Sequence, residues 1–273
     1  MSSSMACSGC RRPFVARRSL VGALAVGALE LYGPVAIVPA HAQYPVAPDV
    51  VVFCEPTLKH ALGDVAALWR SETGIPVRLF TSPTWAELEQ IAHHARDDLV
   101  IGAAQETAGE AIARQLVKPG SIEYLWSNRL VVAQRAGALP TGVDLAALAS
   151  KVPIALVDPG RALAGDDSKK ALQALGLWDA VRAKSIGVID TGDASYLLTH
   201  GRAQLAVVYA TDVAADPALA VASELPAQGY EPIVYWAAEA AHALSPNVGK
   251  FRDYLRQKEV QARVKVDGLE VLP

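Results

Sequence analysis

Short apolar runs alternate with stretches of helical spacing from residue 50 onward, and this alternation narrows the fold more than any other feature. Val50 to Phe53 is a continuous apolar run, the mark of a strand covered on both faces. Leu58, Ala61, Leu62, Val65, Leu68 and Trp69 then recur at helical spacing. Thr57 stands as the N-cap and Gly74 as the stop. Ile75 to Phe80 reads as strand, the polar turn Thr81–Thr84 leads into a helix through His94, and Leu99–Ile101 is a third strand. Asn128–Ala133, Pro153–Val157 and Gln204–Tyr209 read as further strands, with helices over Ser168–Ala183 and Ala194–Thr199. Strands separated by helices predict parallel sheets in an α/β architecture, with ligands held beyond the carboxyl ends of the strands. Gly137–Gly142 and Ala214–Pro217 read as turns rather than domain linkers, and there is no internal repeat.

The first 42 residues have a different character. A basic stretch, Arg11 to Arg18, precedes the apolar run Leu20–Leu29, and Ala40-His41-Ala42 offers a small-x-small cleavage site before Gln43. Arg17-Arg18 followed by Ser19-Leu20-Val21 loosely matches a twin-arginine signal, leaving the general and twin-arginine routes open. Residues 1–42 are therefore expected to be an export signal peptide. The remainder is expected to be a soluble, periplasmic protein. Cys7 and Cys10 lie within the leader, which leaves Cys54 without a disulfide partner, as a small buried hydrophobe.

Charge then excludes one class of partner. The chain has 25 basic and 28 acidic residues. Setting aside the leader's four Arg and Glu30 leaves 21 and 27, a net −6. Such a chain has no basic footprint for phosphate backbones, so nucleic acid is not expected as a partner.

Catalytic signatures are absent: no G-x-S-x-G elbow, no phosphate-cradling G-x-x-x-x-G-K-[ST], no H-E-x-x-H. His93 and His94 are adjacent, so on a helix they diverge and cannot share one metal. Asp166-Asp167 suits a helix start, where acids complement the dipole. No metal or cofactor is expected. The remaining signal is a set of loop-to-helix junctions rich in small hydroxyl residues: Thr57, Ser82 with Thr84, Ala162–Gly165, and Thr191-Gly192. Helix N-termini present unpaired amides, and several converging on one cleft hold an anion without Lys or Arg. Any one of these junctions taken alone reads as an ordinary helix cap.

The order of segments is more specific. V-V-V-F-C-E-P-T-L-K-H-A-L, the T-S-P-T turn, D-L-V-I-G-A, N-R-L-V-V-A and Asp158-Pro159 follow one another, then K-K-A-L-Q-A-L-G-L-W-D-A-V and Q-L-A-V-V-Y-A-T-D-V. The whole, from about Asp49 to Tyr254, resembles the periplasmic molybdate-binding receptors of ABC importers, a branch of the type II periplasmic binding proteins. The resemblance implies two α/β lobes joined by two crossing strands, near Asn128–Ala133 and Pro232–Trp236. Lobe one would comprise 43–132 plus 233–273, and lobe two 133–232. It also implies a monomer that closes around a tetrahedral oxyanion, molybdate or tungstate first, and delivers it to an inner-membrane ABC permease. By resemblance the ligand-binding residues are Thr57, Ser82 or Thr84, the amides of Ala164 and Thr191, and the Tyr209 hydroxyl.

Two departures from the family pattern bear on the ligand. Where the family has a neutral A-A-A-S run, this chain has Cys54-Glu55-Pro56-Thr57, and Pro83 interrupts the second loop. Two like charges about 4 Å apart repel by roughly 4 kcal/mol at an effective dielectric near 20. Glu55 therefore either points away, toward Arg161, which by resemblance lies in a facing loop, or the ligand is not a dianion. Glu55, Asp158, Asp190 and Asp193 leave open a second reading, the same fold binding a metal cation or an amine-bearing solute. A third reading, an enzyme with Cys54 as nucleophile and His60 or His200 as base, requires an electropositive setting that Glu55 opposes.

Overall fold

The computed structural model describes residues 48–273 except 94, 141, 143, 149 and 150. The expected export segment and His94 lie outside the described residues.

From its N-terminal end the described chain builds β1 (Val50–Cys54), α1 (Lys59–Thr73), β2 (Val77–Thr81), α2 (Thr84–Ala92), β3 (Leu99–Ala103), α3 (Gln105–Ala113) and β4 (Glu123–Asn128). It then passes to β5 (Leu130–Arg135), α4 (Leu145–Leu148), β6 (Ile154–Val157), α5 (Leu163–Ala174), α6 (Trp178–Arg182), β7 (Ser185–Val188), α7 (Thr191–Thr199), β8 (Leu205–Tyr209), α8 (Ala210–Ala215) and β9 (Leu219–Glu224). It returns through β10 (Ile233–Glu239), α9 (Val248–Tyr254), α10 (Lys258–Val266) and β11 (Glu270–Val271). Among the described residues the strands form two sheets, ordered β11-β4-β10-β3-β1-β2 and β7-β6-β8-β5-β9. The chain thus changes sheet twice, at Arg129 and between Glu224 and Ile233.

The buried strands are those with continuous apolar runs. Every residue of β1, β3, β6 and β8 is buried, because each is central in its sheet and covered on both faces. Edge strand β2 carries Arg78 and Thr81 to solvent. Trp126, Trp236, Tyr235 and Phe251 are among the largest fully buried side chains. Trp236 gives its indole N–H to Thr107 Oγ1 at 2.9 Å, and a buried Trp needs such a partner.

Several expectations are corrected. The sheets are mixed: β1 pairs in parallel with β2 and β3, and β6 with β7 and β8, but β10 runs antiparallel to β3 and β4, and β5 to β8 and β9. Strands that arrive from the other sheet do so without a helical crossover, so they are free to run against their neighbours. Asn128–Ala133 is two strands, in different sheets, parted at Arg129. Ser168–Ala183 is two helices, because Gly176 takes φ +68° and ends α5. Thr57 does not cap α1. It lies in a 3-10 turn, Pro56–Leu58, and α1 begins at Lys59 with no side-chain cap. Gly74 does stop α1, left-handed at φ +72°, with its N–H on the Arg70 carbonyl at 2.9 Å.

Candidate functional site

The loops that leave β1, β2, β6, β7 and β8 carry the expected residues, each at a strand's carboxyl end. Thr57 follows β1, and its Oγ1 lies 2.8 Å from Tyr235 Oη. Tyr235 sits on β10, the strand that returns from the second sheet. Asn128, the last residue of β4, donates through Nδ2 to Tyr235 Oη (3.2 Å) and to Thr211 Oγ1 (2.9 Å). A hydrogen-bonded chain therefore runs Thr57–Tyr235–Asn128–Thr211, linking the first sheet's loop to α8 beyond the second sheet. Because Tyr235 Oη accepts from Asn128, its own proton can go to Thr57 Oγ1, which leaves the Thr57 hydroxyl proton for another acceptor.

Tyr209 ends β8 opposite Leu130, the first residue of β5. It is 3% exposed, and its hydroxyl has no hydrogen-bond partner among the described residues. Burial, then the neighbouring Tyr235, Asp167, Asp212 and Glu55, push its pKa well up, so it stays a neutral donor. A buried hydroxyl without a partner costs about 1–3 kcal/mol.

On the second sheet's side, α5 starts without a side-chain cap, since Ala162 at the cap position has none to offer. Ala164, its second residue, is buried. Gly165 allows the close approach of this helix start to the loop after β6: a Cβ there would lie 2.5 Å from the Asp158 carbonyl oxygen. Thr191 opens α7, whose cap Asp190 accepts from the Asp193 N–H at 2.8 Å. Asp212 accepts the Tyr209 N–H at 2.9 Å, and a side-chain bond from Thr191 also steadies it. Burial nonetheless raises Asp212 to about 6.

The second loop departs from expectation. Thr84 is buried and spends both donors on Glu55: its N–H reaches Glu55 Oε1 at 2.7 Å and its hydroxyl at 2.5 Å. Its Oγ1 accepts the Ala103 N–H at 2.9 Å. Thr84 is therefore not an open donor, and Glu55 turns to the α2 N-terminus rather than to Arg161. The reason is local: Pro83 at the cap position cannot cap α2, and the Glu55 carboxylate supplies the missing acceptor. Ser82 is half-buried, its Oγ accepting from Gln90 Nε2 at 3.3 Å. Beneath lies Glu87, fully buried, with both carboxyl oxygens unpartnered. Burial, then the charge of Glu55, push Glu87 up to about 9; the Ser82 amide, bonded to the Cys54 carbonyl, relieves it only weakly.

Three of the four acids behind the cation reading are engaged structurally. Glu55 caps α2, Asp190 caps α7, and Asp158 accepts from Arg182 Nη1 at 2.9 Å. His60, Asp64 and Asp267 could together hold an ion, but Arg263 already bonds both aspartates. Cys54 is fully buried, and burial, then Glu87 and Glu55, push its thiol far up. His60 lies 3.9 Å from Asp267 and His200 stacks on Tyr196, so neither is arranged to deprotonate Cys54. Sequence reasoning missed Tyr235, Asn128 and Thr211. The available signal was a tyrosine inside the apolar run Ile233–Ala238, which implies a buried hydroxyl in need of partners.

The family model of the bacterial extracellular solute-binding proteins matches residues 50–270. The chain belongs to this family. The family is one of solute binders, not of enzymes. The molybdate-binding protein ModA of Escherichia coli (strain K12) is 27% identical over 228 residues, 81% of this chain and 89% of that protein. Among solved structures, a substrate-binding domain assigned to a molybdenum ABC transporter of Clostridium difficile aligns with TM-score 0.71 at 20% identity, covering 82% of this chain and 99% of that one. The periplasmic molybdate-binding protein of Azotobacter vinelandii aligns with TM-score 0.70 at 22% identity over the same shares. The solute-binding protein therefore has the type II periplasmic-binding-protein fold.

Proposed function

We propose that this solute-binding protein captures a tetrahedral oxyanion, molybdate or tungstate first, in the periplasm and delivers it to an inner-membrane ABC permease. Residues 1–42 direct export. Lobe one is 43–132 plus 233–273, lobe two is 133–232, and the protein acts as a monomer. The observation that carries the reading is the buried, unpartnered Tyr209 hydroxyl, together with the start of α5, whose amides no side chain caps. An oxyanion is the ligand that satisfies them together. Thr57 donates from lobe one. Tyr209 and the amides of Ala164 and Thr191 donate from lobe two, with Ser82 at the rim. Thr84 acts through Glu55.

The mechanism is closure. Ligand bridges donors on both lobes, and the Thr57–Tyr235–Asn128–Thr211 chain, which spans the crossing strands, carries the rearrangement. A fully deprotonated anion accepts from every donor, so the site discriminates by charge and size. A thermal-shift screen of chelator-treated protein against molybdate, tungstate, sulfate, phosphate, calcium and transition-metal ions tests this. Ligand at a hundredfold excess over its Kd stabilises by about 2.7 kcal/mol, a shift of several degrees. A shift with cations and none with any oxyanion refutes the proposal.

A further inference from the structure

Glu55 sets a carboxylate where the oxyanion reading, on which this inference rests, needs donors. Its Oε1 is fixed by the N–H and hydroxyl of Thr84, while no hydrogen bond to Oε2 exists among the described residues. Thr84, which holds it, accepts the Ala103 N–H, Ala103 lies opposite Tyr235 in the β3–β10 pairing, and Thr57, two residues on, bonds Tyr235 Oη, so the carboxyl lies beside the Thr57–Tyr235 donors. The groups whose ionisation its charge opposes are Cys54 on β1, Glu87 on α2, Tyr209 on β8 and Tyr235 on β10, and none of these is a cation. A dianion entering that space meets an uncompensated negative charge.

Two resolutions are available to the carboxylate. Moving away strips both bonds from Thr84 and takes from the α2 N-terminus the side-chain acceptor that Pro83 does not provide. Taking up a proton on Oε2 keeps both bonds on Oε1 and turns the free oxygen into one more donor to the ligand. Burial already raises the Glu55 carboxyl, with the Thr84 bonds opposing, so the surroundings favour the second resolution. We propose that Glu55 contacts the ligand as a carboxylic acid, and that the receptor captures its oxyanion together with one solvent proton held on Oε2.

Calorimetric titration of molybdate into the purified full chain, in two buffers of different ionisation enthalpy at one pH, counts the protons. At a pH above the titration of Glu55, about one proton is taken up per molybdate, and Kd weakens about tenfold per pH unit. Glu55→Gln keeps an acceptor for Thr84 and places a fixed N–H donor where the acid proton sits. This variant takes up no proton, and its Kd is independent of pH and no weaker than that of the unaltered chain. Molybdate bound without proton uptake by the unaltered chain overturns this inference alone, as does equal uptake by Glu55→Gln. The measurement on the unaltered chain stands whether or not the variant folds. No binding of any oxyanion by either protein overturns the oxyanion reading, and this inference with it.

Discussion

Replacing Tyr209 by Phe separates a binding role from a structural one, because the two predict opposite signs. The Tyr209 hydroxyl is buried and bonds to nothing among the described residues. Leaving such a group unsatisfied costs about 1–3 kcal/mol, so its removal should leave the ligand-free protein as stable as before or raise its stability by up to that amount. At this chain length about 1 kcal/mol corresponds to roughly 2–4 °C in Tm. The ligand complex behaves the other way. A hydrogen bond to a charged group contributes about 1.5–3 kcal/mol, so Kd for molybdate should weaken roughly 10- to 150-fold. Chemical denaturation of the ligand-free protein and calorimetric titration of both proteins read the two effects independently. A Tyr209→Phe protein that is destabilised by more than about 1 kcal/mol while binding molybdate with unchanged affinity refutes the assignment.

Thr57→Val should weaken molybdate binding about tenfold and, by breaking the bond to Tyr235, lower stability by about 1 kcal/mol; calorimetry and melting follow both. Gly165→Ala drives a Cβ into the Asp158 carbonyl and should cost about 1–3 kcal/mol, with weaker ligand binding as the α5 start is displaced, read by denaturation and titration. Glu87 predicts a pH dependence. Its folded-state carboxyl titrates near 9 against an ordinary 4.5, so between these values the folded state holds a proton that the unfolded chain has lost. Its contribution is therefore fully present below about pH 4.5 and is lost as pH rises toward 9. Glu87→Gln should flatten the fall in Tm above pH 7 and melt higher than the unaltered chain at pH 8; an unchanged slope contradicts the assignment.

The fold was legible from residues whose environment is set by their own segment. Val50–Phe53, Leu99–Ile101 and Gln204–Tyr209 read as buried strands because continuous apolar runs have one stable setting, between two layers. Gly74 was legible as a stop because α1 ends there in a conformation that glycine alone adopts cheaply. The break at Arg129 was not legible. Asn128–Ala133 has an unbroken strand-like composition, and only the second sheet's pairing of Leu130 with Tyr209 shows that the chain has changed partners. That Thr57 follows β1 and Tyr209 ends β8 could be read from the order of segments. The destination of Glu55 could not, because it depends on the uncapped start of α2, 29 residues along the chain, which only folding brings within reach. Tyr235 and Asn128 were hidden for the same reason: their partners lie 178 and 83 residues distant.

Diffraction from crystals grown with tungstate, phased on the tungsten signal, locates the bound anion. One strong peak is expected between the lobes, with oxyanion oxygens within hydrogen-bond distance of Tyr209 Oη, Thr57 Oγ1 and the amides of Ala164 and Thr191. A peak that leaves Tyr209 Oη without a partner, or tungsten bound only on the outer surface, contradicts this assignment.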